Sequence, residues 1–228
     1  MSVIARHGGA AEPGEPLRDP ETLSDRAYRE LEEAIVTLRI APGTVVSEAL
    51  LSKRLGIGRT PIREAIQRLA RERLMVIMPR RGIVVSEINI QTQLRLLEAR
   101  RELERLLARC AARWATAEER ARFEMIGQAM EEAGHRNDDT TFMRLDREFN
   151  LLVLDAAHNE FASGAMASMH GLSRRFWYMH YRLAADLPLC ARLHANEARA
   201  IAKSDADAAA RASDKLMDYV ERFTRATV

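Results

Sequence analysis

The sequence predicts a mainly α-helical chain in two parts. An N-terminal unit of three helices is closed by a short β hairpin, and an all-α antiparallel bundle follows. Three observations carry this expectation. Pro13, Pro16, Pro20 and three glycines crowd residues 1–23, three more prolines lie in 24–86, and the last 142 residues hold only Pro188 and four glycines. That last stretch is rich in Ala, Leu, Arg, Glu and Met, all strong helix formers. The charge is uneven too: residues 24–86 hold twelve Lys/Arg against seven acids, whereas the whole chain has a net charge of only +2.

Length and composition set outer bounds. With 228 residues, 47% of them apolar and 30% charged, the chain suits two soluble domains with real cores. No apolar run reaches the ~20 residues of a membrane helix, and the N-terminus lacks the apolar stretch of a secretory signal. Cys110 and Cys190 form neither a disulfide framework nor a C-x-x-C pair, so a cytoplasmic chain is expected.

The elements follow in order. Residues 1–23 have little to bury and read as a flexible tail. Ser24 or Asp25 can cap a helix to about Arg39, with Ala27, Leu31, Ala34, Ile35 and Leu38 on one face. Ala41-Pro42-Gly43-Thr44 is turn chemistry. Ser47 can cap a short helix through Leu51 and Leu55 that stops at Gly56, a natural left-handed terminus. A third helix begins near Thr60-Pro61 and runs to about Glu72, and Leu74 to Met78 and Ile83 to Ser86 read as strands joined through Pro79 to Gly82. Three helices and a two-stranded wing make residues 24–86 a winged helix-turn-helix. Beyond it, helices are expected at about 89–116, 118–134, 139–158, 160–184, 188–203 and 205–225, placing an antiparallel bundle at 89–228.

The third helix has two chemistries on two faces. Ile62, Ala65, Ile66 and Leu69 make the apolar face, whereas Arg59, Arg63 and Gln67 recur every four residues on the other. An arginine on an exposed helix suits major-groove reading, because its guanidinium grips guanine O6 and N7 together. Thr60 and the first-turn N–H groups can hold a phosphate, and Pro61 fixes φ where its missing N–H costs nothing. Arg80 and Arg81 sit at the wing tip, where Gly82 lets the backbone approach a phosphate or minor groove. The partner these residues imply is double-stranded DNA. The competing reading is a surface helix with salt-bridging arginines.

These residues carry a family resemblance. Pro42-Gly43, Leu51, Leu55-Gly56, the run Arg59-Thr60-Pro61-Ile62-Arg63-Glu64-Ala65, Leu69, Leu74 and Pro79 to Gly82 resemble the DNA-binding domain of GntR-family transcription regulators. The resemblance implies base and phosphate contacts at Arg59, Thr60, Arg63, Arg81 and Gly82. The chain departs from the family pattern at Gly58, where Ser or Thr is usual, at Arg39 and Arg73, where Gly is common, and at Ala49, where a basic residue is often found.

The second part is similar to the FCD-type ligand-sensing domain of the FadR-like subfamily, on Arg100 with Glu104, Asp146 to Asn150, Asn159, and Ala200 to Asp205. Many members hold a divalent cation there with one Asp and three His. Asp146 and His194 match two of those ligands, but Asn150 replaces one His and Leu216 stands at another, and an amide and an alkyl chain make poor donors. The expectation is therefore no resident metal and a small organic acid held by hydrogen bonds from Asp146, Asn150 and His194, with Arg100 for its carboxylate. A homodimer reading a roughly palindromic operator, with repression relieved by the acid, is what the resemblance implies.

Competing readings come from the same residues. The polar groups could be satisfied members of an inert bundle that only dimerises the DNA-binding domain. A metalloenzyme bundle needs two Glu-x-x-His motifs, and Glu132-His135 supplies one at a helix end beside Gly134. The cluster Phe176, Trp177, Tyr178 and Tyr181 can form a pocket wall but reads rather as core or dimer surface, and Trp114 reads as core.

Overall fold

The computed structural model describes residues 21–79 and 82–227, apart from the side chains of 183 and 184. The N-terminal unit contains α1 (Leu23–Val36), β1 (Val45–Val46), α2 (Glu48–Leu55), α3 (Arg59–Arg71), β2 (Met75–Met78) and β3 (Gly82–Val85). The bundle contains α4 (Ile90–Trp114), α5 (Ala117–His135), α6 (Asp139–Ala156), α7 (Glu160–Ala184), α8 (Leu187–Ala202) and α9 (Ala206–Arg225). The expected winged helix-turn-helix and all-α bundle are both present.

Helix starts follow local capping chemistry. Ser47, Asn89, Thr116, Asp138, Asn159, Asp186 and Asp205 each accept a backbone N–H from three residues on, which satisfies one of the first-turn donors. The first helix is capped not by Ser24 or Asp25 but by Thr22, whose Oγ1 accepts from the Asp25 N–H at 3.0 Å. That helix also ends at Val36, short of Arg39, because the chain turns left-handed at Leu38 (φ +59°). Gly56 closes α2 in the left-handed conformation expected of it. Arg73 is left-handed as well (φ +60°), at the place where the family commonly has glycine.

The wing has one strand more than expected. β3 lies between β1 and β2, antiparallel to both, with Val45 opposite Val84 and Met75 opposite Val85. Two residues are too few for alternation to announce a strand, so β1 is invisible to periodicity. Leu31, Ile35, Ile62, Ile66, Leu69, Leu74 and Val85 form the core beneath. Leu172 of α7 packs against this core, so the two domains share a helix.

In the bundle, α5 and α8 approach closely because both faces are small. A Cβ on Gly134 would lie 2.6 Å from the Ala191 Cβ, and one on Gly127 would lie 3.1 Å from the Ala198 Cβ. Phe123, Phe142, Phe149, Leu107, Leu152 and Ile201 fill the space around this seam. Trp114 is not core: Ala108, Ala111, Ala112 and Ala115 take the inward stripe at the end of α4 and leave Trp114 63% exposed. Gly134→Ala gains helix propensity but forces α5 off α8, so we expect a net loss of about 1–3 kcal/mol in denaturant unfolding, and an unchanged midpoint would show the seam to be slack.

Candidate nucleic-acid interface and effector cavity

On α3, Ile62, Ala65, Ile66 and Leu69 are buried, and Arg59, Thr60, Arg63 and Gln67 are exposed together, as the spacing requires. Gly58 makes no side-chain cap, so no side chain competes for the first-turn N–H groups. Arg63 is not idle in the free protein. Its Nε and Nη2 donate to Glu48 on α2 at 2.8 and 2.7 Å, which lowers the Glu48 pKa through the hydrogen bond it accepts. The pair is open to water, so it contributes little to stability and orients a guanidinium that remains free to exchange partners. Arg59 makes no ion pair among the described residues. Gly82 opens β3 at φ +95°, a conformation that only glycine adopts readily. Arg80 and Arg81 lie outside the described residues, as do residues 1–20 of the expected tail.

The bundle holds a partly open cavity of about 70 Å³ between α4, α6, α7, α8 and α9. Helical spacing delivers its lining: Phe142, Asp146, Phe149 and Asn150 from α6, His170, Ser173, Arg174 and Trp177 from α7, and Cys190, His194 and Glu197 from α8. Arg100 and Glu104 come from α4, and Leu216, Met217, Val220 and Phe223 from α9. All four expected effector residues, Arg100, Asp146, Asn150 and His194, are therefore brought to one space.

Within it most charges are compensated. His194 Nε2 lies 3.1 Å from Asp146 Oδ1, and its Nδ1 lies 2.9 Å from the Cys190 carbonyl oxygen. With an acceptor at each nitrogen, the ring carries both protons. Burial opposes that charge, but the Cys190 sulfur and the Asp146 carboxylate beside the ring outweigh it and keep the His194 pKa above its ordinary value. Burial likewise acts to raise the Asp146 pKa and is outweighed by the His194 hydrogen bond, so it stays low. Asn150 Nδ2 donates to Asp146 Oδ1 at 3.1 Å and to its carbonyl at 2.8 Å. Arg100 donates through Nη2 to Glu104 one turn on.

Other groups are left over. Arg100 Nε and Ser173 Oγ are buried without a hydrogen-bond partner among the described residues. Glu197 is 2% exposed and makes no hydrogen bond among the described residues. Burial, and then the Glu104 carboxylate, push its pKa up to about 8, so it is a neutral acid at pH 7. Burial pushes the His170 pKa down to about 4, leaving a neutral imidazole. Sequence reasoning missed His170, Ser173, Arg174 and Glu197 as lining. Their signal was the i, i+3, i+4, i+7 recurrence that ends at Trp177, and the turn after His194. Phe176 is buried core and Trp177 packs against the core, as read, and both also line the cavity, the wall that the same cluster allows.

A divalent cation does not fit this lining. Among the described residues no three His, Cys, Asp or Glu side chains gather as a metal site. Of the four positions that the resemblance gives to metal ligands, Asn150 presents its amide nitrogen as a donor to Asp146 and Leu216 offers no lone pair, so two of the four keep a metal-binding side chain.

One more feature joins the cavity to the wing domain. Arg174 donates to Glu32 at 2.8 Å and to Glu33 at 3.2 Å on α1, and Arg147 reaches Glu33 at 3.5 Å. Beside it the buried Arg175 donates to the Ser86 carbonyl at 2.8 Å and to its Oγ at 3.1 Å, gripping the linker after β3.

Family models locate both halves. The model described as "Bacterial regulatory proteins, gntR family" matches residues 23–85, and the FCD domain matches 95–219. The chain belongs to the GntR family of regulators, in the branch that carries an FCD domain. It is 28% identical over 209 residues to the HTH-type transcriptional repressor RspR of Escherichia coli (strain K12), covering 92% of each chain. Over 64% of its length it is 27% identical to the HTH-type transcriptional regulator YdhC of Bacillus subtilis (strain 168), of which 65% is covered. Its fold is that of E. coli McbR/YncC, with a TM-score of 0.78 at 17% identity over 91% of this chain and 99% of that one. A GntR regulator from Rhodococcus sp. RHA1 gives 0.66 at 18% identity, covering 89% and 97%. These relatives and families are transcriptional regulators, not enzymes, so the metalloenzyme reading falls. No helix among the described residues is long and apolar enough to cross a membrane.

The buried Glu197 makes a pH prediction. An acid whose folded pKa is raised from 4.5 to about 8 holds its proton in the folded state while the unfolded chain releases it, so its contribution to stability falls as pH rises through that window. Relative to Glu197→Gln, the unsubstituted chain should lose up to about 1.4 kcal/mol per pH unit between those values. Denaturant melts of both chains from pH 5 to 8 check this, and parallel profiles would place a partner on the Glu197 carboxylate.

Proposed function

We propose that this GntR-family regulator acts in the cytoplasm as a homodimeric repressor of a roughly palindromic operator, and that a small organic acid in the bundle cavity changes its operator affinity. The observation that carries the reading is the double engagement of α7. His170, Ser173 and Trp177 line the cavity, while Arg174 and Arg175 in the same turns hold α1 and the linker at Ser86. A ligand that shifts α7 by a fraction of an ångström therefore acts on both contacts. Such a ligand changes operator affinity by its differential affinity for the two domain arrangements. Repression is supported by the relationship to RspR, which is named a repressor.

In the proposed complex, Arg59, Arg63 and Gln67 read base edges while Thr60, Gly82 and the wing arginines Arg80 and Arg81 position the backbone. Two copies related by a dyad would present two α3 helices to two half-sites. The acid is held directly, by Arg100 with Asp146, Asn150 and His194 around it, without a resident metal.

Selection from a randomised duplex library should yield an inverted repeat, and an asymmetric or unspecific yield would refute the dimeric reading. On the selected operator, Arg63→Ala should weaken binding by about 10- to 100-fold and relax preference at one base pair per half-site. Unchanged affinity and preference in an anisotropy titration would remove Arg63 from the interface.

Glu32 and Glu33 test the coupling from the side remote from the cavity. In a Glu32→Gln, Glu33→Gln double variant, an acid that raises the melting temperature of the unsubstituted chain should still bind. Its effect on operator affinity should shrink at least three-fold, and an effect that stays full size would route the signal elsewhere.

A further inference from the structure

The cavity holds more carboxyl groups than its own cations engage. Of Glu104, Asp146 and Glu197, the first is engaged by Arg100 and the second by His194, whereas Glu197 is buried without a partner among the described residues. Two residues that line the same space, Arg100 and Ser173, carry buried donors, Nε and Oγ, without acceptors among the described residues. A simple carboxylate would satisfy the donors and leave Glu197 unanswered, adding a third negative group beside Glu104 and Asp146. A simple amine would answer Glu197 and leave the donors orphaned. A buried polar group without a partner costs free energy, so the ligand that satisfies both sets is favoured.

We infer that the cavity is built for a small zwitterion of the amino-acid type, with its carboxylate on Arg100 Nε and Ser173 Oγ and its ammonium on Glu197. The aromatic walls Phe176, Trp177 and Phe223 suit an ammonium, whose charge is attracted to the faces of such rings. The neutral acid form of Glu197 in the free protein removes the objection that a bare carboxylate could not be stored there, because the ligand's charge draws the proton off on binding. Size is compatible as well, since about 70 Å³ has room for roughly five waters and so admits a small ligand. The inference rests on the reading of this cavity as the effector site and narrows the organic acid to one that bears an amine.

The test is calorimetry on the full chain without DNA, using the twenty standard L-amino acids and β-alanine, and for each binder the acid in which hydroxyl replaces the amine (lactate for alanine, glycerate for serine). At least one amino acid should bind, and its hydroxy counterpart should bind at least ten-fold more weakly. Glu197→Gln should weaken the amino acid at least ten-fold while changing the hydroxy acid less than three-fold. Silence across the panel, equal binding of the hydroxy acid, or an unaffected variant overturns the inference. Should the variant fail to fold, the amine–hydroxyl comparison on the unsubstituted chain decides alone. An amino acid that binds with these preferences but leaves operator affinity unmoved would sink the regulatory reading and leave this one standing. An operator response to an acid without an amine, and to no amino acid, would do the reverse.

Discussion

Glu32 is 6% exposed, and a carboxylate so placed survives only beside a cation. Arg174, reaching across from α7 at 2.8 Å, is that cation, and much of the architecture follows from their pairing. Burial disfavours the guanidinium charge, but Glu32 and Glu33 more than restore it, so the Arg174 pKa lies above its ordinary value. Each partner makes the other's burial tolerable, which ties α1 of the winged domain to the helix that walls the cavity. Apolar contact reinforces the tie, since α7 carries glycine at 171, where a Cβ would meet the Leu74 Cδ1 at 2.7 Å. Removing one partner of such a pair costs about 3–5 kcal/mol, whereas a tenfold change in an equilibrium takes about 1.4 kcal/mol. A small distortion of this contact is therefore enough to move the winged domain.

The cavity obeys the same rule of compensation, with a remainder. Asp146 and His194 neutralise one another, and Asn150 fixes the carboxylate in that role, so the pair that could have begun a cation site is closed on itself. Two internal pairs, Arg174 paired outward to Glu32 and Glu33, and the neutral His170, Cys190 and Glu197 leave a space that is polar but nearly uncharged at pH 7. Selectivity in such a space comes from hydrogen bonds that would otherwise go unmade rather than from a field of one sign.

How much of the molecule is legible in its sequence depends on the range of each interaction. Capping is local chemistry, so Ser47 and Gly56 mark the two ends of α2 within a few residues of chain. The apolar and basic faces of α3 are legible because a single helix carries both. Periodicity can show that a face of α7 is special but not which elements it will meet, so His170, Ser173 and Arg174 do not stand out as lining. Trp114 misleads for a related reason. Its bulk suggests core, yet four alanines claim the inward stripe. Contacts such as Arg63 with Glu48, or Arg174 with Glu32, join residues far apart in sequence, and charge counting cannot single out one pair among so many acids and bases.

The two arginine sites differ in what surrounds them. Arg63 is paired at the surface, where water screens the ion pair and exchange for another anion costs little. Arg174 is paired in the interior, where exchange is expensive and geometry is fixed. A regulator needs both kinds. The outer pair must surrender its guanidinium whenever a better-matched acceptor arrives, and the inner one must hold so that movement at the cavity is delivered rather than absorbed. Burial alone makes this distinction, since both sites use the same functional groups at nearly the same distance, 2.7 Å at Arg63 and 2.8 Å at Arg174.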